Sequence, residues 1–165
     1  MTGILERLVW RSSWRIEKYA SREAFETQQP YAVSEFRGNL ALNEGINELL
    51  LLLVGGGGDA YDNTNTYLGV GDDSTAAAAA QTGLQAAANK FWQGMEATYP
   101  TDPPVSQEVV FRSIFADGDA EYAWEEFTVT NTSSDAGKNL CRKVSSEGTK
   151  SAGEVWTLTY TIGLA

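Results

Sequence analysis

Histidine is absent from this 165-residue sequence, and cysteine occurs once, at Cys141. The first absence removes the commonest general base, the usual neutral metal ligand and every serine- or cysteine-histidine triad. The second rules out an intrachain disulfide and a cysteine-rich zinc site. A lone thiol suits a reducing compartment and reads as a small, semi-buried apolar residue. Long apolar runs are missing too: INELLLLLV is far short of the ~20 residues a membrane helix needs. The start, MTGILERLVWRSSWRIEK, is broken by charge and has no signal-peptide apolar core. Basic residues are scarce, 12 against 22 acids, for a net charge of −10. Their placement is uneven. Residues 1–37 hold six of the twelve (Arg7, Arg11, Arg15, Lys18, Arg22, Arg37) against five acids, leaving six bases and seventeen acids beyond. An acidic body repels phosphate backbones, which argues against a nucleic-acid partner.

What is present reads mostly as β structure. Leu8, Trp10, Ser12, Trp14 and Ile16 alternate with Val9, Arg11, Ser13 and Arg15, the pattern of a strand with one apolar and one partly cationic face. Glu23–Glu26 fits a turn of helix, and Pro30 opens an extended piece through Phe36. The best helix lies in NLALNEGINELLLLLV, over about 43–54. Asn43 suits its N-cap, Glu44 and Glu48 its positive end, and Gly55 its stop. Leu42, Ile46, Leu49, Leu50 and Leu53 share a face while Leu51 and Leu52 point elsewhere, so a central helix covered on more than one side is expected.

Further on, TYLGVG predicts a short strand, LQAAANKFWQGM has helical composition, and YPTDPP is a firm break. VVFRSIF, EYAWEEFTVTN and LCRKV follow as strands between Gly-rich turns. VWTLTYTIGL closes the chain with Trp156, Leu158, Tyr160, Ile162 and Leu164 on one face and Thr157, Thr159 and Thr161 on the other. The whole predicts a mainly β protein: an antiparallel β-sandwich, jelly-roll or Ig-like, with one packed α-helix. Residues 1–37 are a strand region, either an arm or part of the same domain, and 38–165 the sandwich domain.

Few motifs suggest chemistry. Gly55–Gly58 is followed by Asp59 and no Lys-Ser/Thr, so it is a loop and not a phosphate cradle. Gly69-Val70-Gly71 lacks a third glycine and meets Asp72-Asp73, which would repel a pyrophosphate. Asp117-Gly118-Asp119 hints at calcium spacing, but no stretch matches a twelve-residue calcium loop, and Asp and Gly are what turns select. Glu125 and Glu126 beside Trp124 suggest a glycosidase, yet neighbours on a strand face opposite ways. They read as structural or interface carboxylates, and Trp92, Trp124 and Trp156 as core. No catalytic group, metal or cofactor is expected, and the chain is not read as an enzyme.

The order of NLALNEGINELL, YLGVGDDSTAAAAAQTGLQAAANK, VVFRSIFADGDAEYAWEEFTVTN, NLCRKV, GTK and the Trp-led last strand resembles a group of small tailed-bacteriophage structural proteins, of head-decoration or tail-fibre-like type. The likeness spans about residues 39–165, and Thr128, Thr130 and Cys141 depart from its more apolar or Asn-bearing pattern. It implies a virion protein made in the host cytoplasm. The first expectation is a capsid decoration or cement protein, a homo-oligomer (trimer favoured) bridging major capsid subunits or binding another virion protein. Alternatives are a tail, collar, baseplate or fibre-attachment component, and a host-surface carbohydrate-binding module with an exposed aromatic row. On the resemblance's reading, YLGVGDDSTAAAAAQTGL is a strand, turn and extended connection whose small residues lie close against the sandwich. Attachment falls to the one region that is not acidic. Arg11, Arg15, Arg22 and Arg37 are the candidate partner-binding residues, since guanidinium forks pair with carboxylates. On that reading, deleting residues 1–37 leaves a folded body that no longer binds particles. The competing reading is an outer strand with solvated arginines.

Overall fold

Alternating apolar residues lead strands to bury one face, and among the described residues nine strands form two antiparallel sheets. A computed structural model describes residues 9–101 and 107–164; Leu8 and the Asp102–Pro104 part of the expected break lie outside them. The elements are β1 (Trp10–Tyr19), α1 (Arg22–Glu26), β2 (Ala32–Arg37), β3 (Leu40–Ala41), α2 (Asn43–Leu53), β4 (Tyr67–Gly71), β5 (Lys90–Gly94), β6 (Glu108–Phe115), β7 (Glu126–Thr130), β8 (Asn139–Val144) and β9 (Val155–Leu164). One sheet runs β2-β1-β9-β6 and the other β3-β8-β7-β4-β5. The architecture is an antiparallel β-sandwich carrying a packed helix.

Between the sheets lies an aromatic core. Trp14, Ile16, Phe111, Phe115, Trp156, Leu158 and Tyr160 meet Leu68, Val70, Phe127, Val129 and Cys141. Trp124 stands at the centre of one end, its ring centroid 4.8 Å from both Phe115 and Trp156 in edge-on contacts. Such geometry suits the positive edge and negative face of aromatic rings. The alternation read in β9 holds for Trp156, Leu158 and Tyr160, whereas Ile162 is half-buried and Leu164 exposed at the strand's end.

β1 is no detachable arm. It sits between β2 and β9, paired with β9 from Trp10↔Leu164 to Tyr19↔Val155. Removing it would expose the edges of β2 and β9 and empty Trp14, Ile16 and Tyr19 from the core. A folded body lacking residues 1–37 is therefore not what this architecture allows.

The second sheet is covered on its outer side as well, so every residue of β7 is buried. The cover is the segment from Asp72 to Asn89, an irregular connection with Leu84 and Ala86 buried beneath it. The helix suggested by LQAAANKFWQGM does not form. Phe91 and Trp92 instead pair with β4 as strand β5, because cross-strand partners satisfy the backbone of this bulky, aromatic stretch better than a helix interrupted by Gly94. Trp92 is half-buried and lies outside the sandwich, over Gly69, where a side chain would strike its ring and Thr128.

α2 begins one residue earlier than a helix N-capped by Asn43 would. Leu42 is the N-cap residue and offers no side-chain cap; the Asn43 N–H donates to the Ala79 carbonyl instead (2.8 Å). The helix packs on β8 through its small and acidic side. A Cβ at Gly45 would collide with the Leu140 and Asn139 backbone. Glu44 accepts from the Asn139 N–H and amide group (2.8 and 3.0 Å), and Glu48 from Asp59 N and Asn131 Nδ2 (both 3.2 Å). The expected central helix, covered on several sides, is thus corrected: Ile46, Leu49, Leu50, Leu51 and Leu53 face solvent.

Candidate functional site

Three groups of residues could carry function: a buried charged centre, a cationic cleft and an apolar surface. The buried centre is built on neighbouring strands. Glu126 on β7 and Arg142 on β8 are both fully buried, with Arg142 Nε donating to Glu126 Oε2 at 2.7 Å. The rest of the guanidinium donates to Thr75 O (2.7 Å), Gln81 Oε1 (3.2 Å) and Asp73 Oδ1 (3.2 Å). Glu126 accepts the backbone N–H groups of Gln85 and Ala86. Gly71 lets it in, since a Cβ there would occupy the carboxylate's place. Every partner outside the strands comes from the 72–89 connection, so this pair is the anchor that holds GDDSTAAAAAQTGLQAA against the sheet. Its charges are paired and its hydrogen bonds made; it has no free acid, base or nucleophile to offer.

The other chemical candidates are similarly engaged. Burial pushes the Cys141 thiol up to about 12, which keeps it an unreactive thiol. Asp62 accepts from Thr64 and Asn65 N–H, Asp119 from Ala116 N–H and Asp117 from Gly153 N–H. Among the described residues no three carboxylate or thiol groups converge to hold a metal. Glu125 is separated from Glu126 by the strand's alternation and bonds Ser146 Oγ at 2.8 Å. Tyr31 is the one aromatic side chain among the described residues that is more than a third exposed, so no aromatic row forms there.

The four arginines divide into pairs. Arg15 is engaged by Glu17 (2.9 Å) and by Glu35 across the β1–β2 ladder, and the Glu17 hydrogen bond helps hold its guanidinium above the ordinary value. Arg22 bonds Glu26 one helical turn on, at 2.8 Å. Arg11 and Arg37 are exposed and form no ion pair with any of the described residues. Ser13 is the cross-strand partner of Arg37, so Arg11 lies on the diagonal of the same outward face, about 7–8 Å away by sheet geometry. They line one cleft of about 550 Å³ with Trp10, Gly38, Asn39 and Glu108. Its wall is held by Ser12 Oγ donating to Asn39 Oδ1 (3.0 Å) and Asn39 Nδ2 donating to Tyr160 Oη (2.7 Å). Two unpaired guanidinium groups this close repel, and a carboxylate or other anion between them relieves that repulsion.

The apolar surface was hidden from sequence reasoning. Leu50 is 56% exposed, Leu53 80% and Val54 77%, with Ile46, Leu49 and Leu51 also exposed. Beside them runs an apolar groove lined by Trp10, Leu49, Tyr61, Val109, Ile162 and Leu164. Trp10 borders both groove and cleft, so the cationic and apolar surfaces meet at one end of the sandwich. The signal that could have found it is the helix's own acids: with Glu44 and Glu48 turned inward, the leucines had to turn out.

The fold and these surfaces define an antiparallel β-sandwich with a cationic cleft and an apolar helix face at one pole. No protein-family model, curated protein or solved structure matches the chain.

Proposed function

We propose that this chain is a non-enzymatic structural protein of a tailed-phage virion, a capsid decoration protein that docks on major capsid subunits through the Arg11–Arg37 cleft. The virion context rests on the resemblance of residues 39–165. The docking role rests on one observation: two diagonal, unpaired arginines share a cleft on a molecule whose net charge is −10. A cationic recess on an acidic body steers the molecule to a carboxylate-bearing protein surface while the remainder discourages nucleic acid. Arg15 and Arg22, already paired within the chain, contribute less to that contact. Repetition over many lattice positions lets a small contact hold.

Arg11→Glu with Arg37→Glu tests the reading, because both side chains are exposed and unpaired and the fold does not depend on them. Stripped particles of the cognate phage, mixed with the variant at matched salt, should retain it at least about tenfold more weakly than wild type, with an unchanged melting temperature. Equal retention would place the contact elsewhere. Labelling the bound protein in particle images separates head from tail.

A further inference from the structure

One edge of the first sheet is left open. β2 ends the order β2-β1-β9-β6, with β1 on one side and no strand on the other among the described residues. Gly38 N–H donates to Ser12 O (3.1 Å). The register from Ser13↔Arg37 to Lys18↔Ala32 then turns the backbone groups of Ala32, Ser34 and Phe36 towards β1 and those of Val33, Glu35 and Arg37 outward. Among the described residues, only the Arg37 carbonyl of that outward row has a partner, Lys143 Nζ at 2.9 Å. β6, at the far end of the same sheet, is closed: Thr101 N–H and Glu96 N–H donate to its outward carbonyls at Val110 and Arg112 (both 2.9 Å). β2 has neither a proline nor a bulge, two of the usual guards of an exposed edge.

We propose that an extended segment of the partner adds to this edge as a further strand, antiparallel to β2, with a carboxylate seated against Arg37. The inference rests on the docking reading given above and states the form in which the partner's acid arrives. Backbone chemistry selects the occupant. A row of N–H and C=O groups at strand spacing is matched by another extended chain, not by a folded surface that offers side chains alone. Charge sets the register. Arg11, Arg37 and Lys143 gather around one end of the edge with no ion pair among the described residues, while Glu35 is already engaged by Arg15. Val33, further along, is 45% exposed. An incoming acid therefore falls opposite Arg37, a neutral residue opposite Glu35 and an apolar one opposite Val33. A second copy of this chain fits badly. Laid antiparallel along the whole edge, it would set Glu35 against Glu35 and Arg37 against Val33, between bodies that each carry −10.

The probe is an end-blocked heptapeptide, Thr-Glu-Val-Thr-Thr-Val-Thr, whose Glu, central Thr and second Val fall opposite Arg37, Glu35 and Val33. Titrated at millimolar concentration into the isotope-labelled full chain, it should shift the amide resonances of Val33, Glu35 and Arg37. N-methylation of its second, fourth and sixth residues, whose N–H groups face β2, should weaken binding about 100-fold or more. N-methylation of the third and fifth, which face away, should change it by less than about threefold. Val33→Pro removes one outward N–H without touching the β1 ladder, and should weaken the peptide about tenfold at an unchanged melting temperature. No binding, binding that ignores the N-methyl pattern, or shifts confined to Arg11 and Arg37 each overturns the proposal. So do edge amides that shift on concentrating the chain alone, because a second copy would then be the occupant. Retention on stripped particles is read separately. If Val33→Pro is retained like wild type while Arg11→Glu with Arg37→Glu is lost, strand addition falls and the cleft reading stands. A chain that takes the peptide with this N-methyl pattern but is retained on no particle supports the edge and sinks the virion reading.

Discussion

Arg142→Met keeps most of the buried stem and removes the guanidinium, which makes it the sharpest probe of how the second sheet is covered. The wild-type group donates at 2.7 Å to Glu126 and Thr75 and at 3.2 Å to Gln81 and Asp73, from a side chain with no solvent exposure. Without it, Glu126 is a buried carboxylate with no cation. Breaking a buried pair in this way costs about 3–5 kcal/mol. The N–H groups of Gln85 and Ala86 still reach the carboxylate, so the lower end, about 3 kcal/mol, is expected here. For a domain of this size that lowers Tm by about 6–12 °C. Guanidinium chloride unfolding gives the free energy, and hydrogen exchange gives the location: Thr75 and Ala78 amides should lose protection while β9 keeps its own. Adding Glu126→Gln supplies the discriminating result. Gln retains an acceptor for the two amides but removes the stranded charge, so the double variant should be more stable than Arg142→Met alone. A double variant no better than the single, or a single variant within about 1 kcal/mol of wild type, refutes the reasoning.

Two pH-linked outcomes follow from the same layer. Cys141, buried and raised to about 12, should resist thiol reagents at pH 8 and react only at the rate of global opening; its ordinary value is near 8.5, so its contribution to stability is full below that pH and lost as pH rises towards 12. Rapid labelling of the native protein would contradict this. Asp73 is held below the usual carboxylate range, first by the Thr75 N–H and then by Arg142, so its contribution is present above the ordinary value near 4 and lost as the pH falls below it. Asp73→Asn should therefore flatten the decline in Tm between neutral and acidic pH, and an unchanged slope would count against the anchor.

Much of the sandwich could be read directly from residues. β1 and β6 alternate because each buries one face, β9 keeps the apolar alternation in its sequence although both its faces are buried at its start, and the turn at Asp117-Gly118 falls where the pattern of β6 breaks. α2 was legible as a helix but not in orientation. Five consecutive leucines suggest burial all round, and only the tertiary contact of Gly45 with the Leu140 backbone shows that the helix lies on its other side. β5 was misread because alanines favour helix locally, while the decision between helix and strand belonged to β4, which is distant in sequence. The Glu126–Arg142 centre is a subtler case. Sixteen residues separate two charges that in sequence resemble any solvated pair, and their burial depends on a covering segment whose composition looks like a linker. The arginines divided for a similar reason: cross-strand register, invisible before folding, gave Arg15 its Glu35 and left Arg37 without an acid opposite.

The pairing of Trp10 with Leu164 brings the chain into the fold and out of it at the same pole, beside the cleft and the groove. A bulky group attached at Trp10 or Leu164 would therefore crowd that pole. At the opposite pole, beyond Phe115 and Trp156, a Cβ added at Gly118 or Gly153 would meet nothing within 4 Å, so both turns face open space. Cargo inserted there would project away from the contact pole, which makes those turns places to engineer a displayed peptide.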